Sequence, residues 1–296
     1  MDTIDERRIV IQPLPGFCNG RVDMLRLDLI HPVISGNKWF KLKHNLAQAL
    51  SQGCRGVLSF GGAYSNHLIA MAAAAHAAGL HSVGIVRGME PARLTPTLEA
   101  CRNLGMTLIP VSREEYDSKD KTSPLPARTE AYPGYFIIPE GGANEAGRAG
   151  AAAIAGLIPL GYDTIVLSVG TGTTFAGIRG VLPLQQYMLG FAPMKGGRYL
   201  RDEIRSFLPC IPEESWNLYD EFHFGGFGRW TPGLAAFMNR CYAQWGIALD
   251  MVYTAKMMYG LEQLHQRQQL PAQSRILCIH TGGLQGNVSM GGALQF

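Results

Sequence analysis

Three short blocks of this chain combine small, polar and reactive side chains at turn-like spacing. The first is Gly170-Thr-Gly-Thr-Thr174, which follows the β-branched apolar run Thr164-Ile-Val-Leu167 and precedes helix-compatible Phe175-Ala-Gly-Ile-Arg179. A buried strand, a tight loop and a helix start aim backbone N–H groups and a helix dipole at one point. Together with the hydroxyls of Thr171, Thr173 and Thr174 they form an anion site sized for a phosphate. The spacing disfavours two common phosphates. A dinucleotide fingerprint needs Gly-x-Gly-x-x-Gly and a later acid, but its third glycine position is Phe175 and the stretch near Pro193-Met-Lys195 has no acid. A Walker loop needs Gly-Lys-Ser/Thr, and Gly177 is followed by Ile178. A terminal monophosphate on a cofactor such as pyridoxal 5′-phosphate fits. A ligand-free Gly/Thr turn also fits this block taken alone.

That cofactor requires a lysine amine held rigid and partly desolvated, so that it can be neutral. Ser35-Gly-Asn-Lys38-Trp-Phe-Lys41-Leu-Lys43 offers one. Gly36 permits an unusual turn, Asn37 can hydrogen-bond locally, and Trp39 and Phe40 give apolar walls as a helix begins. The closeness of Lys38, Lys41 and Lys43 is equally compatible with a solvated basic face. In the third block, Val57-Leu-Ser-Phe60 reads as a strand leading into Gly61-Gly-Ala-Tyr64-Ser65-Asn66-His67. An alanine-rich helix, Leu68 to Ala78, follows and is closed by Gly79. Ser65 and Asn66 sit where helix N-caps sit. Ser65, Asn66 and His67 together place three polar groups and free N–H donors at one mouth, which suits a substrate carboxylate. A further strand, Arg275 to Ile279, ends in His280-Thr281-Gly282-Gly283. In open parallel sheets such strand ends converge on the ligand crevice.

These blocks, in this order, resemble the 1-aminocyclopropane-1-carboxylate deaminase/D-cysteine desulfhydrase family, within the tryptophan-synthase-β-like, fold type II pyridoxal-phosphate enzymes. The resemblance runs from about Val22 to His280. It rests on Gly36-Asn37-Lys38-Trp39-Phe40-Lys41-Leu42, Ser65-Asn66-His67, Pro139-Glu140-Gly141-Gly142, Gly170 to Thr174, and Val252-Tyr253-Thr254-Ala255-Lys256. It implies Lys38 as the lysine bound to pyridoxal 5′-phosphate, with Lys38, Ser65 and Tyr253 as catalytic residues. Asn37, Gly170, Thr171, Gly172, Thr173, Thr174, Tyr253, Thr254 and Thr281 would hold the cofactor, and Ser65, Asn66 and His67 the substrate. It also implies a homodimer acting on a small amino acid. Departures narrow the substrate. The deaminases carry a glutamate after the Val-Tyr pair, where this chain has Thr254, and a leucine before the late Gly-Gly, where it has Thr281. Threonine at both is the desulfhydrase pattern, since a hydroxyl leaves the ring nitrogen unprotonated and the ring a weaker electron sink. A family tyrosine is replaced near Phe227, and His67 stands where the family has glutamine.

The elements that must position these residues read as α/β, with strands and helices alternating along the chain. Val83 to Val86, Met106 to Ile109, Phe136 to Ile138 and Tyr187 to Leu189 are expected strands; Leu94 to Leu104, Glu145 to Ile158 and Arg198 to Leu208 are expected helices. Glu114 to Arg128, with its polar Lys119-Asp-Lys-Thr-Ser-Pro run, reads as a surface helix plus loop. Cys210 to Pro232, rich in glycine and aromatics, reads as a mobile or site-covering region. The resemblance implies two lobes of open, twisted parallel sheets with helices on both faces. A large cofactor lobe would comprise 1–45 and 151–296, and a small substrate lobe, 46–150, would be inserted in it.

Composition excludes several function classes. Charged residues are only 17% against 47% hydrophobic, and the net charge of +3 is dispersed, so nucleic acid and acidic membranes are unexpected partners. No apolar stretch reaches the roughly 18 residues of a membrane span. The start, Met-Asp-Thr-Ile-Asp-Glu-Arg-Arg, is unlike a signal peptide. Six cysteines without C-x-x-C spacing argue against metal and disulfide frameworks, and point to a cytoplasmic chain with Cys278 in the core. Tyr253 alone could be an ordinary strand-end aromatic. His280 reads as a satisfied strand-end histidine before an acid/base, Glu140 as a turn shaper, and Tyr64 as pocket lining or helix packing. The expected reaction is β-elimination from an amino acid such as D-cysteine. A cyclopropane deaminase, a cofactor-binding protein without catalysis and a phosphosugar enzyme remain alternatives.

Overall fold

A computed structural model describes residues 4–119, 125–271 and 273–296. The polar residues 120–124 and the first three residues lie outside the described set. Among the described residues, ten strands form two sheets. In the larger, β1 (Ile11–Pro13), β2 (Val22–Arg26), β7 (Thr164–Ser168), β8 (Tyr187–Phe191), β9 (Trp216–Tyr219) and β10 (Ile276–His280) take the order β1-β2-β10-β7-β8-β9. All neighbours are parallel except the edge strand β1, which runs antiparallel to β2. In the smaller, β3 (Gly56–Gly61), β4 (His81–Arg87), β5 (Met106–Val111) and β6 (Tyr135–Ile137) are all parallel, in the order β5-β4-β3-β6.

Central parallel strands are covered on both faces, so they read as continuous apolar runs rather than alternating ones. Every residue of β7, β10 and β3 is buried accordingly. The covering helices are α1 (Asn37–Ser51), α2 (Asn66–Ala77), α3 (Pro96–Asn103), the short α4 (Arg113–Asp117) and α5 (Pro126–Thr129), α6 (Glu145–Ala152), α7 (Thr173–Arg179), α8 (Leu200–Phe207), α9 (Pro232–Trp245) and α10 (Thr254–Gln266). Alanine lets α2 bury its whole middle: residues 67–75 are all buried, and the helix packs on β3, β4, α1 and α3. Capping hydroxyls start α2, α3 and α9, where Ser65, Thr95 and Thr231 accept the N–H groups of Leu68, Leu98 and Leu234. The chain leaves the large sheet along α1, builds the small sheet, and returns along α6, which packs against both α1 and α7.

The expected elements are present, with shifted ends. The helix read from Glu145 to Ile158 is α-helical to Ala152 and continues as a 3-10 turn, Ala153–Leu157. The first half of the 210–232 segment departs from its reading as cover. It contributes β9, whose Trp216 is 2% exposed and packs edge-on against Phe175. Its aromatic and glycine content masked the buried alternation of Trp216 and Leu218. Residues 4–20 hold β1 and two 3-10 turns, and a 3-10 segment, Leu284–Ala293, follows β10. Among the described residues no helix is long and apolar enough to cross a membrane, and no cluster of His, Cys, Asp or Glu could hold a metal ion.

Candidate active site

Gly36 fixes where the lysine stands. Its φ is +64°, and a Cβ there would lie 1.9 Å from the Thr281 carbonyl oxygen, so only glycine lets the entry to α1 run against the end of β10. The Asn37 N–H donates to that same carbonyl at 3.3 Å. The Asn37 side chain then links two blocks: its amide nitrogen donates to Thr174 Oγ1 at 2.8 Å, and its oxygen accepts from Lys38 Nζ at 2.8 Å. Burial lowers the Lys38 amine to about 8, against the opposing field of Asp250.

Across from Lys38, Tyr253 stands at the start of α10. Its ring comes within 3.2 Å of where a Gly170 Cβ would be, and Lys38 Nζ is 5.9 Å from the ring centroid. Burial, followed by the Asp250 charge, raises the phenol, which is neutral at any ordinary pH. Beneath the ring, the N–H groups of Gly170, Thr171 and Gly172 donate to no main-chain carbonyl among the described residues. The Thr171 and Thr173 hydroxyls are 2.9 Å apart. Gly141 closes over this loop: a Cβ there would be 3.2 Å from Thr171 Cγ2 and 4.0 Å from Lys41 Nζ. The Lys41 side chain is buried, and no hydrogen bond or ion pair of its ammonium is found among the described residues. Its amine is held well below the ordinary lysine range by burial and by Lys38. A buried amine with no partner among the described residues and open N–H donors therefore converge on one small volume, where an anion would meet the donors and draw a proton onto the amine.

The third block faces this one from the small sheet. Ser65 Oγ caps α2 by accepting the Leu68 N–H at 3.2 Å. Asn66 reaches across to the large sheet, where a Cβ on Gly283 (φ +99°) would meet its amide nitrogen at 2.5 Å; its Oδ1 is buried without a partner. His67, expected as a substrate contact, is buried beside the site with its Nδ1 unpartnered among the described residues. It is 3% exposed, its Nε2 is 2.9 Å from Ser59 Oγ, and its ring packs against Gly142, since apolar α2 turns that position inward. Burial, then Lys41 and Lys38, keep this imidazole neutral.

Thr254 also departs from its expected contact with a ring nitrogen. It is fully buried, its hydroxyl lies 2.8 Å from Asp250 Oδ2, and the Asp250 N–H donates back to it at 2.8 Å. Asp250 further accepts the N–H groups of Val252, Tyr253 and Thr254, which fixes the turn carrying Tyr253. Burial raises the Asp250 carboxyl despite these donors. Thr281 remains beside Gly36 with no hydrogen bond of its hydroxyl among the described residues. His280 is satisfied: it pairs with the Ala248 carbonyl at 2.8 Å and accepts the Gly282 N–H at 3.1 Å. Glu140 is tied to Lys119 at 2.8 Å, and Tyr64 is exposed. Lys41 and Asp250 are the two site residues that reading of the sequence left without a role. Lys41 carries a signal, three residues after Lys38 on one helix; Asp250 carries another, an acid just ahead of a helical run.

A model of the pyridoxal-phosphate-dependent enzyme family matches residues 12–182. A protein of Pyrococcus horikoshii named putative 1-aminocyclopropane-1-carboxylate deaminase is 30% identical over 290 residues, which cover 91% of this chain and 86% of that protein. The D-cysteine desulfhydrase of Yersinia pestis is 29% identical over 89% of this chain and 87% of its own length. A crystal structure of an ACC deaminase homologue superposes with a TM-score of 0.78 at 30% identity, covering 95% of this chain and 90% of that one.

Proposed function

Because this chain belongs to the pyridoxal-phosphate-dependent enzyme family, we propose that it is a lyase which eliminates the β substituent of a small amino acid. D-cysteine is the first substrate of this reading: with one water it gives pyruvate, hydrogen sulfide and ammonia. The observation that carries it is the pair of threonines where the deaminases of the family have glutamate and leucine, with the Thr254 hydroxyl bound to Asp250 and the Thr281 hydroxyl left to meet a ring nitrogen. The names of the Yersinia relative and of a bifunctional Arabidopsis one support the same substrate.

The residues present suit the cofactor. Open N–H donors at Gly170 to Gly172 and the uncommitted Lys41 amine, which a bound anion would hold protonated, answer a phosphate, Lys38 an aldehyde, and the Tyr253 ring a pyridine face. When bound, the cofactor supplies an electron sink for negative charge on the amino acid's Cα. Ser65 and Asn66 bind the substrate carboxylate, using the helix N-terminus and the Asn66 amide nitrogen as donors. Lys38, kept partly neutral by burial and oriented by Asn37, takes the Cα proton. Burial keeps the Tyr253 phenol protonated in the free protein, and its ring lines the site between Gly170 and Lys38.

In this reading residues 1–45 and 151–296 form the cofactor lobe and 46–150 the substrate lobe; the small sheet's strands, all between Gly56 and Ile137, support that division. We read the protein as a cytoplasmic homodimer, supported by its free cysteines and by exposed Leu160, Val181 and Leu184. The test is to give the cofactor-loaded protein D-cysteine and measure sulfide and pyruvate together. Equal yields of both are expected. Turnover of 1-aminocyclopropane-1-carboxylate in preference to D-cysteine would overturn the substrate assignment.

A further inference from the structure

Lys256, in the first turns of α10, is 1% exposed, yet no carboxylate lies within ion-pair distance of it among the described residues. Its ammonium instead donates to three main-chain carbonyls: Pro193 at 3.1 Å, His223 at 2.9 Å and Gly226 at 2.8 Å. An ammonium has three N–H groups, so all of them are engaged. Two of the three go to a single turn, residues 223–228, which needs holding. Phe224, Gly225, Gly226 and Gly228 all have positive φ, and for the phenylalanine that conformation carries strain. The turn's own hydrogen bonds are few and local, such as Gly225 N–H to His223 Nδ1 and Gly226 N–H to the His223 carbonyl, both at 3.0 Å.

At the tip of that turn Phe227 is 58% exposed, but its ring meets Tyr253 edge to face, with centroids 5.7 Å apart. Tyr253 in turn abuts Gly170 and stands 5.9 Å from Lys38 Nζ. A large apolar ring is thus left in solvent at the rim of the site, resting on the residue that lines it. We propose that Lys256 is a positioning residue for substrate: it holds the 223–228 turn so that Phe227 stays on Tyr253 as the apolar wall of the site's mouth. This rests on reading the Lys38–Tyr253 site as the amino-acid site. Lys256 itself touches neither substrate nor cofactor.

The test compares Lys256→Met, which keeps the apolar stem and loses the donors, with Phe227→Ala and with the double variant, all cofactor-loaded. Backbone amide exchange across residues 225–229 should accelerate about tenfold in Lys256→Met, while α10 stays protected. KM should rise about tenfold in each single variant with kcat within about twofold, and the double variant should be no worse than the weaker-binding single, because both changes remove one wall. Unchanged exchange in Lys256→Met, or KM effects that multiply in the double variant, would overturn the proposal. Should Lys256→Met not fold, Phe227→Ala decides, since an exposed ring can be removed without harming the core; an unchanged KM there counts against the wall. If no amino acid is turned over by the wild-type protein, the lyase reading fails, while the exchange measurement still decides whether Lys256 holds the turn.

Discussion

Lys38 illustrates how burial makes a reactive group. With its amine lowered to about 8, roughly a tenth of the molecules carry it neutral at pH 7, several hundred times more than for a free lysine. Capture of pyridoxal phosphate by the cofactor-free protein needs the neutral amine, so its rate should climb with pH through about 8 and level off above about 9. A stopped-flow absorbance series would show this; a rate still climbing at pH 10 would place the amine outside the desolvated pocket. Lys38→Ala should lose the visible band at roughly 410–430 nm and at least about a thousandfold in turnover. Lys41→Ala should leave that band but weaken cofactor affinity about 10- to 100-fold, the cost of one charge-assisted contact to a phosphate. Equilibrium titration checks this, and unchanged affinity would remove Lys41 from the site.

At the scale of elements, the site is built where turns from both sheets meet backbone to backbone. Gly36→Ala would push a methyl group into the Thr281 carbonyl and force a side chain into positive φ. The backbone strain alone costs about 1–3 kcal/mol, and the start of α1 must move as well. The expected outcome is a lower melting temperature together with loss of cofactor retention, because Lys38 and Asn37 ride on that first turn. A variant that melts lower but holds the cofactor normally would separate the turn from the site. On the opposite side, Asn66→Ala should raise KM about 10- to 100-fold with kcat little changed, since it removes a carboxylate contact and leaves α2 capped by Ser65. A drop in kcat at constant KM would move Asn66 from binding to chemistry.

At the scale of the whole molecule, the cofactor ties both sheets into one unit in the proposed reading, through Lys38, Gly170 to Thr174 and the Gly141 turn. Ligand binding to the folded state alone stabilises by mass action, about 2.7 kcal/mol at a hundred times the dissociation constant. At about 2.1 cal/mol/K of unfolding entropy per residue, a chain of 296 residues would show this as a rise of about 4–5 °C in melting temperature. Pyridoxal without its phosphate should give much less at equal concentration, because the open N–H donors and Lys41 have nothing to meet. Equal shifts from the two compounds would show that the Gly/Thr loop holds no phosphate.

What the sequence determined by itself is what lies in contiguous blocks: the Gly-Asn-Lys turn, the Ser-Asn helix start, the Gly/Thr loop after a buried strand and the alternation of strands and helices. Each is a local rule, because a glycine with positive φ, a capping hydroxyl or a β-branched run acts on its own neighbours. The tertiary structure decided where side chains point once those blocks are packed. Thr254 looked free to face a ring, yet buried Asp250, whose charge needs donors, takes its hydroxyl. His67 looked like a substrate contact, yet apolar α2 turns it onto Ser59. Lys41 looked like one of several surface lysines, and packing of α1 against the Gly141–Gly142 turn placed its amine beside the loop some 130 residues away in sequence. Those choices depend on which distant group can satisfy a buried charge, and that is set only when the two sheets come together.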